Sequence, residues 1–237
     1  MTTLIQKLAN EIPKCGDRKS IWEKQLGLKE SYPKELAVFK AVLGAGGQFN
    51  FWEGESHKSD SSEAIGSGSD KWFAVVRGDI PIYAMNLVQT RIDVYKNCLT
   101  FLACGCNPLD KEWWEGLHKA YGYDPLRKRE TLCWMILKDL GVDVVIEPPA
   151  KGCVDYNLIV ALRHLGIVTA KGNVFDTETE TELRKNCLLV CEQLLVLKPE
   201  LTVMDVDSYL YNMGKHIRKT VSNWADYFCY RVGCYYY

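Results

Sequence analysis

The chain has 237 residues, of which 47% are apolar and 25% charged, and its net charge is −1. That length supports one good core or at most two small ones, and the composition is that of a folded body, not a disordered tail. The charge balance lacks the basic excess of a duplex-binding protein, which favours a small-molecule substrate over long nucleic acid.

Helical periodicity dominates and predicts an all-α (mainly α) single domain over residues 1–237. Residues 4–12 and 34–43 read as helices. Gly44-Ala45-Gly46-Gly47 has the look of a nucleotide loop but lacks the preceding strand and the following lysine, so a helix C-cap and turn suits it better. Gln48-Phe49-Asn50-Phe51-Trp52 interleaves three aromatics with two amides. As core this is unremarkable; as a site, the rings would sandwich a planar base while Gln48 or Asn50 bonds its edge. Residues 53–71, EGESHKSDSSEAIGSGSDK, form a long Ser/Gly-rich surface loop, either a tolerated insertion or a lid.

A longer helix is expected over 86–102 and another over 110–121, opened by Asp110. Residues 125–140 carry a proline suited to a first turn and stop at Gly141. Segments 142–146 and 168–175 suggest short extended pieces or a hairpin. Residues 154–165 form an apolar helix ending at Gly166, 179–197 an amphipathic one, and 204–215 a last one with Asp205 or Asp207 as cap.

No stretch approaches the roughly 18–20 apolar residues that span a bilayer, and the charged N-terminus lacks a signal-peptide core, so a cytoplasmic location is expected. The ten cysteines then read mostly as reduced core thiols. No CxxC frame occurs and the four histidines are scattered, so neither a metal nor an organic cofactor is implied.

Two stretches carry candidate chemistry. Arg127, Lys128 and Arg129 open a helix where cations oppose the macrodipole, which calls for either an anion such as a phosphate or full solvation. Pro148-Pro149-Ala150-Lys151-Gly152-Cys153-Val154-Asp155-Tyr156 leads a rigid loop into a buried helix, with an acid at the boundary. Asp155 is an N-cap on the plain reading, worth about 1 kcal/mol. On the functional reading it is a fixed carboxylate.

Cys153-Val154-Asp155-Tyr156-Asn157, with Ala161-Leu162-Arg163-His164-Leu165-Gly166, resembles the Asp-Tyr segment of the queuosine-nucleotide N-glycosidase (queuosine salvage) family. It also resembles the Val-Asp-Tyr segment of archaeal 8-oxoguanine DNA glycosylase. Further partial likenesses to the queuosine-salvage family follow in order: Gln48–Trp52, Trp72, Gly78-Asp79-Ile80-Pro81-Ile82, Lys128-Arg129, Glu180-Thr181-Glu182-Leu183-Arg184, Val206-Asp207-Ser208-Tyr209-Leu210-Tyr211, and the closing Arg231, Cys234, Tyr236 and Tyr237. Departures are Gln48 for the family's asparagine and Tyr230-Arg231-Val232-Gly233 for its His-Arg-x-Arg run. Glu130 stands where the DNA glycosylases have their lysine nucleophile, and it cannot form a Schiff base.

The resemblance implies a helix-hairpin-helix DNA-glycosylase-like bundle and a monofunctional N-glycosidase for a nucleotide of a modified, 7-deazaguanine-type purine, similar to queuosine 5′-monophosphate. Asp155 would stabilise the oxocarbenium-like sugar and orient water. Gln48, Phe49, Asn50, Phe51 and Trp52 would hold the base, Tyr156 would shape the pocket, and Lys128, Arg129 and Arg231 would take the phosphate. Asp207 would bind a substrate amine or hydroxyl, unless it is a helix cap. The alternatives are a DNA glycosylase excising an oxidised purine, in which case nucleic acid is a partner, and a catalytically inactive nucleotide-binding module.

Overall fold

The computed structural model describes residues 2–26, 108–121, 126–169 and 177–222, with scattered positions between 28 and 45. Among these residues the protein is all-α: seven helices are delimited and there is no strand. They are α1 (Thr2–Glu11), α2 (Lys19–Gln25), α3 (Lys111–Tyr121), α4 (Lys128–Asp139), α5 (Tyr156–His164), α6 (Thr177–Leu197) and α7 (Val203–Thr220). None of the described helices is long and apolar enough to cross a membrane. The chain divides into two compact units, Met1–Gly16 with Pro148–Tyr237, and Asp17–Glu147.

The first unit is organised by α5, in which Asn157, Leu158, Ile159, Val160, Ala161 and Leu162 are all buried. Six consecutive buried positions exceed what one stripe of a surface helix can cover, so α5 is a central helix. Its partners bury single faces. Ile5, Leu8, Ala9 and Ile12 do so from α1 and its end, Leu183, Cys187, Val190, Cys191 and Leu194 from α6, and Val206, Leu210 and Ile217 from α7. Each large aliphatic side chain buried in this way stabilises the unit by about 1.5–3 kcal/mol.

The second unit repeats the plan around α4, whose buried run includes Cys133, Trp134, Met135, Ile136 and Leu137. Trp22 of α2 and Trp113, Trp114 and Leu117 of α3 are buried as well. Trp22 Nε1 donates to Asp139 Oδ2, and Trp134 Nε1 donates to the Ile146 carbonyl at 2.8 Å, so both indoles satisfy their one polar atom.

The predicted stops at Gly141 and Gly166 are both present. Each glycine is left-handed, at φ 74° and φ 66°. Val142 N–H bonds back to the Leu137 carbonyl and Ile167 N–H to the Leu162 carbonyl, which closes two Schellman motifs.

Several boundaries differ from expectation. The helix placed at 125–140 starts only at Lys128, because Arg127 takes a left-handed φ of 50° that no helix can continue through. Bonds from Thr131 N–H and Thr131 Oγ1 to the Arg127 carbonyl hold that residue in place. The last helix runs Val203–Thr220, and its cap is Thr202, not Asp205 or Asp207. Asp205 is instead the reciprocal member of a capping box, accepting from Thr202 N–H at 2.7 Å.

Helical backbone occurs at Lys34, Ala37, Val38, Ala41, Val42 and also Ala45, so the turn expected from Gly44 onward does not include Ala45. Residues 142–145 alternate buried and exposed but are not assigned to a strand, and most of the other expected extended segment, 170–175, lies outside the described residues. The short helix α2 has no counterpart in the sequence reading; seven residues around one buried Trp22 make too brief a period to detect. The helix expected over 86–102 and the loop at 53–71 lie outside the described residues.

Candidate functional site

The loop Pro148–Asp155 is tied down from two helices. Asp207 of α7 accepts the Cys153 amide N–H at 2.8 Å. Arg184 of α6 donates Nη1 to the Val154 carbonyl at 2.7 Å, and Glu180 Oε1 braces its Nε at 2.9 Å. At Gly152 a side chain would meet Cys191 Sγ at 3.0 Å, so the loop lies close on α6. Burial, and then the Asp207 carboxylate, pushes the Cys191 thiol up, which keeps it an un-ionised core group.

Held in this way, the loop delivers Asp155 as the N-cap of α5, with extended backbone at φ −98° and ψ −178°. Its Oδ1 accepts Leu158 N–H at 2.9 Å, and its Oδ2 accepts Asn157 Nδ2 at 3.1 Å. The plain cap reading of Asp155 is therefore correct as geometry. It does not exhaust the group: a carboxylate offers about four lone-pair sites, and Asp155 is only half-buried.

Around Asp155 lie residues the sequence reading did not single out. Asn157 is 1% exposed, and its Oδ1 accepts Arg218 Nη1 at 3.2 Å. The Arg218 guanidinium stacks 4.4 Å from the centre of the Tyr156 ring, so one face of that ring is covered by a cation. The Tyr211 hydroxyl is pushed up by burial and then by the negative charges of Asp155 and Asp207, against the pull of Arg218. Asp207, Tyr211, Gly214 and Arg218 follow one another at intervals of four, three and four residues. That spacing puts them on one polar face of α7, and it is the signal that would have revealed the cluster.

Asp155, Tyr156 and Asp207 thus belong to one unit, and Asp207 serves as a clamp on the loop, not as a helix cap. Lys128 and Arg129 occupy the first turn of α4, in the other unit. Glu130 beside them is fully buried and pairs with His118 Nδ1 and, at 3.4 Å, with Arg127 Nε. Gln48, Phe49, Asn50, Phe51, Trp52 and Arg231 lie outside the described residues. Among the described residues no group of three or more His, Cys, Asp or Glu side chains could hold a metal ion.

No family model, curated protein or solved structure matches the chain. The queuosine-salvage resemblance therefore rests on its sequence motifs.

Proposed function

We propose that the protein is an N-glycosidase that hydrolyses the base–sugar bond of a modified purine nucleotide of the 7-deazaguanine type, similar to queuosine 5′-monophosphate. One observation carries the reading: Asp155, the acid of the Asp-Tyr motif, is a half-buried carboxylate held by Leu158 N–H and Asn157 Nδ2 at a helix start. Loss of the base leaves positive charge on the sugar. A carboxylate that need not reorganise lowers the energy of that charge and can orient the attacking water. Tyr156, capped on one face by Arg218, would line the pocket. A helix-hairpin-helix glycosylase-like bundle and a cytoplasmic location belong to the same proposal.

Glu130 supports hydrolysis without strand scission, because a buried carboxylate paired with His118 and Arg127 offers no amine for Schiff-base chemistry. The test is incubation with queuosine 5′-monophosphate, with its nucleoside, and with an oligonucleotide containing 8-oxoguanine, read by mass spectrometry. Free base released from the mononucleotide is the expected result. Release from the oligonucleotide alone would transfer the protein to the DNA glycosylases. Thermal stabilisation by the nucleotide without product would make it a binding module.

A further inference from the structure

Asn157 is a polar side chain buried inside the most buried helix of its unit, and both ends of its amide are engaged. Leaving such a group unpaired costs about 1–3 kcal/mol, so its presence calls for a reason. The orientation of the amide follows from its partners. Arg218 can only donate, so it must face Oδ1. Nδ2 is then left to donate, and it meets Asp155 Oδ2. A positive charge on α7 is thereby connected through one fixed dipole to the carboxylate at the start of α5.

Gly214 makes this connection possible. A Cβ at Gly214 would overlap the Asn157 main-chain carbonyl, so only glycine lets α7 approach α5 this closely. Arg218 lies four residues farther along the same face of α7, over Tyr156 and within reach of Asn157.

We infer that Arg218 and Asn157 are positioning residues that fix the rotation of the Asp155 carboxylate, Arg218 by orienting the Asn157 amide and Asn157 by donating to Oδ2. The catalytic consequence rests on the N-glycosidase reading of Asp155; the geometric consequence does not. The relay holds Oδ2 at one angle while Oδ1 remains on Leu158 N–H. The stacked Tyr156 ring limits the positions open to the guanidinium.

The experiment combines two readouts on wild type, Arg218→Met and Arg218→Lys. In wild type, the Asn157 side-chain amide protons should exchange slowly with solvent and should shift in Asp155→Asn, both seen by NMR. In Arg218→Met, which keeps bulk over Tyr156, exchange should accelerate at least about tenfold. The kcat of Arg218→Met should fall by about 10-fold to 100-fold with KM within about twofold, as expected when a reacting group is misplaced without loss of substrate binding. Arg218→Lys should recover part of kcat, since it still donates but cannot stack flat. In Arg218→Ala, added ethylguanidinium should restore part of the turnover together with slow exchange of the Asn157 amide. An Asn157 amide unchanged in Arg218→Met overturns the relay whatever the activity. An altered amide with wild-type kcat overturns its catalytic importance. A wild-type protein that turns over no nucleotide overturns the N-glycosidase reading, and the amide measurements still decide the relay.

Discussion

Gly214 of α7 lies against the main-chain carbonyl of Asn157 in α5, leaving no room for a side chain. This close approach joins the two helices that frame Asp155. Intrinsic propensity would favour alanine over glycine in the middle of α7 by about 1 kcal/mol. Packing opposes it, because the obstacle is backbone and cannot rotate away. Gly214→Ala is therefore expected to destabilise the protein by about 3 kcal/mol or more, against the sign of helix propensity. Urea unfolding of the two forms decides which effect wins.

Asp155 has a cap role and a proposed chemical role, and two substitutions separate them. Asn is as good an N-cap as Asp, but at 155 its amide would face the Asn157 amide, which Arg218 keeps from turning. Asp155→Asn should thus cost about 1 kcal/mol of stability. Base release should fall at least about 100-fold, because the negative charge is gone. Asp155→Ala should lose the cap as well, with no smaller loss of activity. Full turnover by folded Asp155→Asn would leave Asp155 as a cap alone.

Asp205 links the start of α7 to the segment after α1. It accepts the Cys15 N–H on Oδ1 and the Thr202 N–H and hydroxyl on Oδ2. Burial by itself would raise its carboxyl, but these donors outweigh burial and hold it below the ordinary carboxylate value. A lowered folded value means a stabilising contribution that is complete above the unfolded value of about 4 and is lost as pH falls through the folded one. Asp205→Asn should be less stable than wild type by about 2 kcal/mol at pH 7. The gap should close in acid; a gap that stays constant down to pH 2 would show that ionisation plays no part.

On the proposed resemblance to the DNA glycosylases, Glu130 stands where the lyase-type members carry lysine. Installing that lysine should not create a lyase. At a fully buried position beside Arg127 it would replace an ion pair by like charges, a loss of about 3–5 kcal/mol. Glu130→Lys should therefore unfold or melt at much lower temperature, as circular dichroism would show. Borohydride should trap no DNA adduct with either form, and a trapped adduct in wild type would point to a different lysine.

Local physics along the chain made much of this protein legible in its sequence. Apolar spacing located α1, α3 and α6 to within two residues and the start of α7 to within one, though α7 runs five residues past its expected end; Gly141 and Gly166 ended their helices in the left-handed conformation, and Asp155 was placed at a helix start. Each of these depends on neighbours within about one turn, which a sequence states directly. The start of α4 was misjudged because the left-handed Arg127 has no mark in the sequence; it is stabilised by Thr131 and Glu130 after the fact.

Only the tertiary structure decided what surrounds Asp155. Asp207 reaches Cys153 across 54 positions of sequence, and Arg218 reaches Asn157 across 61. Periodicity gives the face of α7 on which Asp207 and Arg218 lie, but not the helix that this face meets. That pairing depends on a helix crossing that the missing Gly214 side chain permits, and it turned a cap residue into a carboxylate with a fixed second oxygen.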